Sequence, residues 1–270
     1  MLETLRLDGK TVVVTGAGRG LGKAMAKALA EVGAEIVCAA RTSAQIDETV
    51  AEIREAGGNA IAVPTDVTDS GQVNELVAAC VSEYGKIDVM VANAGGGGAG
   101  GDHEFWEYPD ELFEQVLATN LKGTFYSGRA AVGAMVERGQ GGVIVNVASG
   151  TALRGNQAFA YPTAKGGVIS LTKSEATMLW RHGIRANVIV PGFVAQAPAM
   201  DEQEAELRRN QGLFIPVRRR GEWWELGPLA VFLASDASRY ITGQSFIIDG
   251  GGLAGGLAPV NLAPEHELQA

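Results

Sequence analysis

The chain has 270 residues, of which 46% are hydrophobic and 20% are charged, with a net charge of -9 and a pI of about 4.9. This length and composition suit one large folded α/β domain and exclude wholesale disorder. An acidic surface repels phosphate backbones, so the charge argues against a nucleic-acid partner.

The class of protein can be narrowed further from its cysteines, its histidines and its first residues. Cys38 and Cys80 each stand inside an apolar run, which predicts reduced core thiols rather than a disulfide. The three histidines lie far apart and lack metal-ligand spacing, so we predict no metal site. The first ten residues lack a basic segment followed by an apolar stretch, and no apolar run reaches transmembrane length. We therefore expect no signal peptide, no membrane partner and a cytoplasmic location.

Short β-branched runs alternate with stretches of helical period along the chain. Nearly all-apolar strands in such an alternation predict a single-domain, doubly wound parallel sheet with helices on both faces, a Rossmann-like α/β fold. Ligands of such sheets bind at the carboxyl ends of the strands. The predicted strands are 11–15, 35–39, 59–63, 87–91, 143–147, 186–190 and 245–248, and the predicted helices lie near 21–32, 45–55, 73–84, 110–137, 161–181 and 224–234.

The pattern predicts one dinucleotide-binding catalytic domain over residues 1–252. Within it, 193–221 mixes apolar and charged residues and is predicted to be a lid over the substrate. A glycine-rich run at 95–101 predicts a flexible loop. The Gly- and Pro-rich tail at 253–270 is expected to lie outside the core.

A glycine-rich turn follows the first strand and leads directly into a helix, in the sequence Thr15-Gly-Ala-Gly-Arg-Gly-Leu-Gly22. Such a turn admits a pyrophosphate close to the backbone, and the free N–H groups of the helix bind the anion. The spacing Thr-Gly-x-x-x-Gly-x-Gly is similar to the cofactor turn of the short-chain dehydrogenase/reductase family. This resemblance extends over about residues 7 to 252 and implies cofactor contacts at Gly16, Gly18, Arg19, Gly20, Leu21 and Gly22.

The end of the second strand indicates which dinucleotide binds. Where NAD-binding relatives carry an acidic residue there, this chain has Arg41, a partner for a 2′-phosphate. The resemblance also associates a basic residue at Arg19 with NADP. We therefore predict NADP(H) over NAD(H), the alternative being two solvated arginines.

Tyr161 and Lys165 stand four residues apart, so both lie on one helix face. Carbonyl reduction needs a proton donor, and a tyrosine serves near neutral pH only if a neighbouring cation and the positive nicotinamide ring lower its pKa. The family resemblance makes Tyr161 the general acid/base. It gives Lys165 two roles, lowering the pKa of Tyr161 and binding the nicotinamide ribose.

Two further residues complete the catalytic set that the resemblance implies. Ser149 looks like the serine that orients the substrate carbonyl, although its distance of 12 residues from Tyr161 is one shorter than usual and Ala148 stands at the usual position. We interpret this as a one-residue deletion in the loop and keep Ser149, with Thr151 as the fallback donor. Asn120 matches the family asparagine that holds a water and connects the lysine to solvent.

Other motif positions are assigned to the cofactor by resemblance alone. The motif Asn-Asn-Ala-Gly is altered at Ala92, and a threonine common after the sixth strand is replaced by Gln196, which puts one phosphate contact in doubt. Asp66 is expected at the adenine amino group, or as an ordinary turn aspartate. The implied contacts are Asp66, Val67, Asn93, Ala94, Gly95, Pro191, Gly192 and Val194.

The sequence leaves three functions open. The first is an NADP(H)-dependent oxidoreductase acting on a ketone, an aldehyde or a secondary alcohol. The second is a 3-oxoacyl-carrier-protein reductase, for which Arg138, Arg181 and Arg185 would have to form a local basic patch on an acidic chain. The third is a dinucleotide-sensing regulator without turnover, which the Tyr/Lys pair argues against. The terminal segment 241–251 resembles the family strand that packs against a second subunit, so we predict a homotetramer, or failing that a dimer.

Overall fold

The computed structural model describes residues 2–96, 103–154 and 158–255. Most of the predicted glycine loop and nearly all of the predicted tail lie outside these residues. The described chain forms one sheet of seven parallel strands in the order β3-β2-β1-β4-β5-β6-β7. The strands are β1 Thr11–Thr15, β2 Glu35–Ala40, β3 Asn59–Pro64, β4 Val89–Ala92, β5 Gly142–Val147, β6 Ile184–Pro191 and β7 Ser245–Ile248.

The described residues form eight α-helices. They are α1 Gly20–Glu31, α2 Ser43–Glu55, α3 Ser70–Tyr84, α4 Asp110–Leu117, α5 Gly123–Arg138, α6 Ala160–Leu179, α7 Glu202–Gly212 and α8 Gly227–Ala234. Helices α1, α2 and α8 pack on one face of the sheet and α3, α5 and α6 on the other, whereas α7 lies in the predicted lid. The predicted doubly wound parallel sheet is therefore confirmed.

Successive residues of one strand supply two separate cores. Val12 and Val14 of β1 pack with Met25 and Leu29 of α1, on the same face as α8. Val13, between them, points the other way into a core shared with α3, α5 and α6. Because side chains alternate along a strand, a strand covered on both faces must be apolar throughout, and β1 is fully buried.

The strand order places a crevice next to β1. This strand pairs with β2 on one side and with β4 on the other, so the connections after β1 and β4 diverge at the carboxyl edge of the sheet. Open parallel sheets bind their ligands at such a switch point. The amino acids that follow β1, β4 and β5 are those that carry the predicted site.

A wide helical turn interrupts the region predicted as helical at 110–137. After α4, residues Ala118–Lys122 form a π-helical turn before α5 begins. π-turns within helices commonly occur at functional sites because they displace one residue from the regular helical surface. Asn120 is the fully buried member of this turn.

Two arginines are bonded at the amino edge of the sheet, opposite the crevice. Arg138, after α5, donates from Nη1 to Oδ1 of buried Asp88 at 2.9 Å. Arg185, at the start of β6, donates to the backbone carbonyls of Ile241, Leu233 and Ser235. Arg138 and Arg185, two of the three arginines considered for a carrier-protein patch, are therefore bonded within the fold at this edge, and the patch stays a prediction.

Candidate active site

The turn between β1 and α1 is built to receive an anion. Arg19, the residue before the helix, has extended backbone, and no side chain caps the helix N-terminus. The N–H groups of the first helical turn therefore have no side-chain acceptor. An uncapped helix N-terminus beside a glycine-rich turn fits the pyrophosphate of a dinucleotide.

Gly20 and Gln196 approach each other across this turn. Gly20 has φ +55°, and a Cβ at this position would overlap the side-chain oxygen of Gln196. Gln196 stands where the family often has threonine, and its longer side chain still reaches the turn. The amide is thus placed beside the candidate phosphate site.

The candidate adenosine end carries two exposed cations. Arg41 directly follows β2, and Arg19 precedes α1. Within the described ranges neither side chain has a hydrogen bond or ion pair. Free guanidinium groups at this end suit a 2′-phosphate better than ribose hydroxyls.

Asp66, after β3, uses one of its two carboxylate oxygens to stabilise its own turn. Its Oδ1 accepts from the backbone N of Thr68 at 2.9 Å and from the Thr68 hydroxyl at 2.8 Å. Asp69, three residues later, is the residue that caps α3. Asp66 is thus a turn aspartate with one carboxylate oxygen left for a ligand, and Val67 beside it is buried against Gly123.

The loop after β4 is fastened to the end of β1. Asn93 donates from Nδ2 to the carbonyl of Thr15 at 3.0 Å. The hydroxyl of Thr15 accepts from the backbone N of Asn93 and of Ala94, at 3.1 and 3.0 Å. Ala92, where the family motif has asparagine, is a buried residue of β4. The retained asparagine therefore holds the two sides of the crevice together.

Asn120, Gly95 and Lys165 form a compact group beside this loop. Asn120 clamps the backbone of Gly96, with Nδ2 donating to its carbonyl and Oδ1 accepting from its N–H, both at 3.1 Å. A Cβ on Gly95 would lie 2.6 Å from Oδ1 of Asn120 and 3.1 Å from Nζ of Lys165. Only glycine leaves room for this approach, so the π-turn fixes the loop against the lysine.

Lys165 is buried and held at one point. Its Nζ donates to the carbonyl of Val147 at 2.9 Å and lies 5.9 Å from the ring centroid of Tyr161. Burial lowers the pKa of Lys165 to about 8, because an ammonium group is poorly stabilised away from water. No carboxylate among the described side chains is paired with it.

Burial also affects the acidity of Tyr161. Burial raises the pKa of Tyr161, and the neighbouring Ser149 side chain opposes that rise. The lowered pKa predicted from the sequence depends in part on the positive nicotinamide ring, which would favour the phenolate. It therefore stays a prediction.

Ser149 and Tyr161 meet despite the short gap between them. The Ser149 side chain lies near enough to the phenol to lower the pKa of Tyr161, against the rise that burial causes. Its hydroxyl accepts from the Thr151 hydroxyl at 3.0 Å and from the Thr151 backbone N at 3.3 Å. Ala148, at the usual position of the family serine, is buried and donates its N–H to Ile189. The geometry therefore places the site serine at position 149, one residue after the position that the family spacing gives.

A cavity of about 100 Å³ opens beside Ser149. We call it the Ser149 pocket; its lining comes from the loop after β5, the turn after β6, the predicted lid and the chain after β7. The lining residues are Ser149, Gly150, Thr151, Arg154, Pro191, Gly192, Phe193, Ile215, Asp249, Gly252 and Leu253. Arg154 and Leu253 were not assigned to the site from sequence, since they belong to no motif.

The predicted lid is joined at its base. Val194 and Gly221 form a bridge, with Gly221 donating to Phe193 at 2.9 Å and Ala195 donating to Gly221 at 2.8 Å. Gly192 donates to Ile248 of β7 at 3.0 Å, which ties the turn after β6 to the last strand. The segment between these points contains α7 and projects beside the pocket.

An uncapped glycine turn, a Tyr/Lys pair and a serine at the carboxyl edge of a parallel sheet define a nicotinamide-dinucleotide oxidoreductase of the Rossmann-like class. A family profile described as Enoyl-(Acyl carrier protein) reductase matches residues 16–252. L-rhamnose 1-dehydrogenase (NAD(P)(+)) of Azotobacter vinelandii is 40% identical over 248 residues, 90% of this chain and 96% of that protein. The 3-oxoacyl-(acyl-carrier-protein) reductase of Thermotoga maritima is 36% identical over 92% of this chain and 99% of its own length.

Among solved structures, a short-chain type dehydrogenase/reductase from Mycobacterium marinum superposes with a TM-score of 0.86 at 37% identity, covering 93% of this chain and 98% of that one. The chain belongs to the short-chain dehydrogenase/reductase family, whose members act on alcohol and carbonyl groups. In the described part of the chain, no helix is long and apolar enough to cross a membrane. The same residues hold no group of three or more acidic, histidine or cysteine side chains arranged for a metal ion.

Proposed function

We propose that this protein transfers hydride between NADP(H) and a hydroxyl or carbonyl group of a free small molecule, with Tyr161 as general acid/base. The observation that supports this most directly is the pairing of Tyr161 with Lys165, whose Nζ lies 5.9 Å from the tyrosine ring, with Ser149 near enough to the phenol to lower its pKa. When bound, the nicotinamide ring accepts or gives the hydride. The protein's own side chains exchange the proton and stabilise the charge on the substrate oxygen.

Each side chain has a defined task in this proposal, and Lys165 has two. Tyr161 exchanges a proton with the substrate oxygen, and Ser149 donates a hydrogen bond to the same oxygen as charge develops there. Lys165 holds the ribose and, as a cation, favours the tyrosinate. Asn120 keeps the Gly95–Gly96 backbone in place beside Lys165.

The preference for NADP(H) over NAD(H) is supported by charge. Arg41 and Arg19 are exposed, and β2 ends in Cys38-Ala39-Ala40 without a carboxylate. A 2′-phosphate offers each guanidinium a charge-assisted hydrogen bond, which ribose hydroxyls do not. We assign Asp66, Asn93 and the turn after β6 to the same cofactor.

Two observations favour a free small molecule over a carrier-bound thioester as the substrate. The rhamnose dehydrogenase noted above acts on a free sugar, as its name states. The carrier-bound alternative requires a basic docking surface, but Arg138 and Arg185 are bonded at the opposite edge of the sheet. We therefore propose a polyhydroxylated small molecule, with the 3-oxoacyl thioester as second candidate.

The proposed assembly is a homotetramer in the cytoplasm. Met178 and Trp180, at the end of α6, and Tyr240, before β7, are 61%, 71% and 100% exposed. Such apolar surface is normally covered by another subunit. Cys38 and Cys80 are buried free thiols, and burial raises the pKa of each to about 12, which fits a reducing compartment. Light scattering of a stable monomer at micromolar concentration would contradict the assembly.

The function is tested with a panel of sugars, polyols, ketones and carrier-bound 3-oxoacyl thioesters, following reduced-nicotinamide absorbance with both cofactors. Turnover of free polyols with NADP+ is expected. Tyr161→Phe should abolish this turnover while NADP(H) affinity persists, whereas Lys165→Ala should impair both. Near-normal turnover by Tyr161→Phe would overturn the mechanism, and cofactor binding without turnover of any compound would favour the regulator.

A further inference from the structure

The Ser149 pocket contains a cation that none of the catalytic roles uses. Arg154 lines the pocket and has an exposed side chain. Within the described residues it makes no hydrogen bond and no ion pair. An arginine at a substrate pocket that has no partner among the described residues is available for an anion from solution.

The guanidinium is nevertheless held in place. It lies over the ring of Phe193, with Cζ 5.5 Å from the ring centroid. Stacking on an aromatic face occupies the flat side of a guanidinium and leaves its in-plane N–H groups free. Phe193 follows Pro191-Gly192 directly, so the ring and the cation lie on the wall formed by the turn after β6.

The nearby carboxylate forms no ion pair with this cation. Asp249 also lines the pocket, but its Oδ1 accepts from the backbone N of Gly251 at 2.8 Å and its Oδ2 from that of Leu253 at 2.6 Å. These bonds fold the chain after β7 back so that Leu253 reaches the pocket. Both oxygens of Asp249 are therefore engaged, and no ion pair joins it to Arg154.

The remaining walls set the polarity of the occupant. Phe193, Ile215 and Leu253 give the pocket an apolar interior. A carboxylate carried on a carbon chain suits such a lining, because two in-plane N–H groups of a guanidinium bind a carboxylate in bidentate fashion.

We propose that Arg154 selects substrates in which the reacting alcohol or ketone is attached to a carboxylate, that is, hydroxy acids, oxo acids or sugar acids. This inference rests on the proposed function and narrows its substrate class. In this proposal Ser149 and Tyr161 bind the reacting oxygen, and Arg154, which shares the Ser149 pocket with Ser149, binds the carboxylate. Arg154 is thus a specificity-determining residue and takes no part in the proton transfer.

The test compares substrates that differ only in the anionic group. Gluconate and sorbitol share six carbons, and lactate and propane-1,2-diol share three. We expect kcat/KM for the carboxylate of the preferred pair to exceed that of its neutral partner at least tenfold. Arg154→Gln should remove this ratio through KM with little change in kcat, and Arg154→Lys should keep part of it.

The matched control is Arg129→Gln. Arg129 is also exposed and stacked on aromatic rings, 5.4 Å from Phe125 and 5.2 Å from Tyr126, but it lies on α5 outside the pocket. Its substitution should leave the ratio unchanged. Light scattering of the Arg154→Gln and Arg129→Gln variants checks that both keep the oligomeric state of the unmodified protein.

A binding measurement separates this inference from the proposed function. Calorimetric titration of the NADP+-saturated Tyr161→Phe variant with gluconate and with sorbitol needs no turnover. Tighter binding of gluconate, lost in the Tyr161→Phe/Arg154→Gln double variant, supports the inference. Equal binding of the two compounds, or a preference that survives the loss of Arg154, overturns it even if neutral alcohols are oxidised.

Discussion

The hydroxyl of Thr151 lies 3.0 Å from the hydroxyl oxygen of Ser149 and donates to it, and the Thr151 backbone N donates to the same oxygen at 3.3 Å. Because Thr151 supplies both donors to Ser149, the serine proton is left to point toward Tyr161 or the substrate oxygen. Thr151 is a positioning residue for Ser149.

Replacing Thr151 with valine removes this donor and keeps the side-chain shape. We expect kcat to fall about fivefold, the equivalent of one ordinary hydrogen bond of about 1 kcal/mol, with the dissociation constant for NADP(H) unchanged. Steady-state kinetics and fluorescence titration of the cofactor measure the two quantities. Thr163→Val on α6, whose hydroxyl donates to Phe159, is the control. If both variants behave alike, Thr151 has no specific role.

Replacing Arg41 with aspartate should reverse the cofactor preference. The unmodified protein is expected to bind NADP(H) at least tenfold more tightly than NAD(H), because a guanidinium pairs with the 2′-phosphate. An aspartate repels that phosphate and accepts from ribose hydroxyls. Dissociation constants for both cofactors are the measurement, with Arg181→Asp as a control after α6. Stronger NAD(H) binding by the unmodified protein would disprove the assignment.

The acidity of Tyr161 can be measured without turnover. Burial raises the pKa of Tyr161 in the cofactor-free protein, so its phenolate should form only above pH 10. The difference in phenolate absorbance between the protein and its Tyr161→Phe variant isolates this group. Adding NADP+ should move the transition to lower pH, since a nearby cation favours the phenolate. A transition below pH 9 without cofactor would show that Lys165 suffices.

Glu175 gives a prediction for stability. Its Oε2 accepts from Nδ2 of Asn146 at 2.7 Å, and burial raises the pKa of Glu175 to about 7. The folded state therefore binds the proton more tightly than the unfolded state does. The stability that this group supports is complete below its unfolded pKa and declines as pH rises toward 7.

Glu175→Gln should accordingly be about neutral at pH 4.5 and stabilising by about 2–3 kcal/mol at pH 8, since a shift of one pKa unit corresponds to about 1.4 kcal/mol. Urea unfolding at both pH values, at one protein concentration, measures the change. Glu137→Gln, on the exposed part of α5, is the control. A destabilised Glu175→Gln protein at pH 8 would mean that the carboxylate is needed as an ion.

Strands and motif positions could be predicted because each depends on local sequence. An apolar run such as 11–15 can be stable only when it is covered on both faces, and Tyr161 and Lys165 share a face by helical spacing alone. Ser149 illustrates where this reasoning stops. The count of residues to Tyr161 left its assignment open, and only the folded loop brings the two hydroxyls together.

Other features depend on contacts between distant segments. As basic residues, Arg138 and Arg185 could belong to a basic patch. In the folded chain, however, Arg138 is hydrogen-bonded to Asp88 and Arg185 to backbone carbonyls. The π-turn around Asn120 has no signal in hydrophobic periodicity. The pKa of Tyr161 depends on how fully the phenol is buried, which spacing does not determine.

Asp249 fixes the end of the described chain by two backbone hydrogen bonds, to Gly251 and Leu253. One wall of the Ser149 pocket is therefore made from chain that follows the last strand and supports nothing else in the sheet. Insertions, deletions or substitutions there change what the enzyme accepts while strand pairing, both cores and the proton-transfer groups remain intact. Related enzymes can in this way differ in substrate specificity through changes in this segment while the sheet and the proton-transfer groups stay the same.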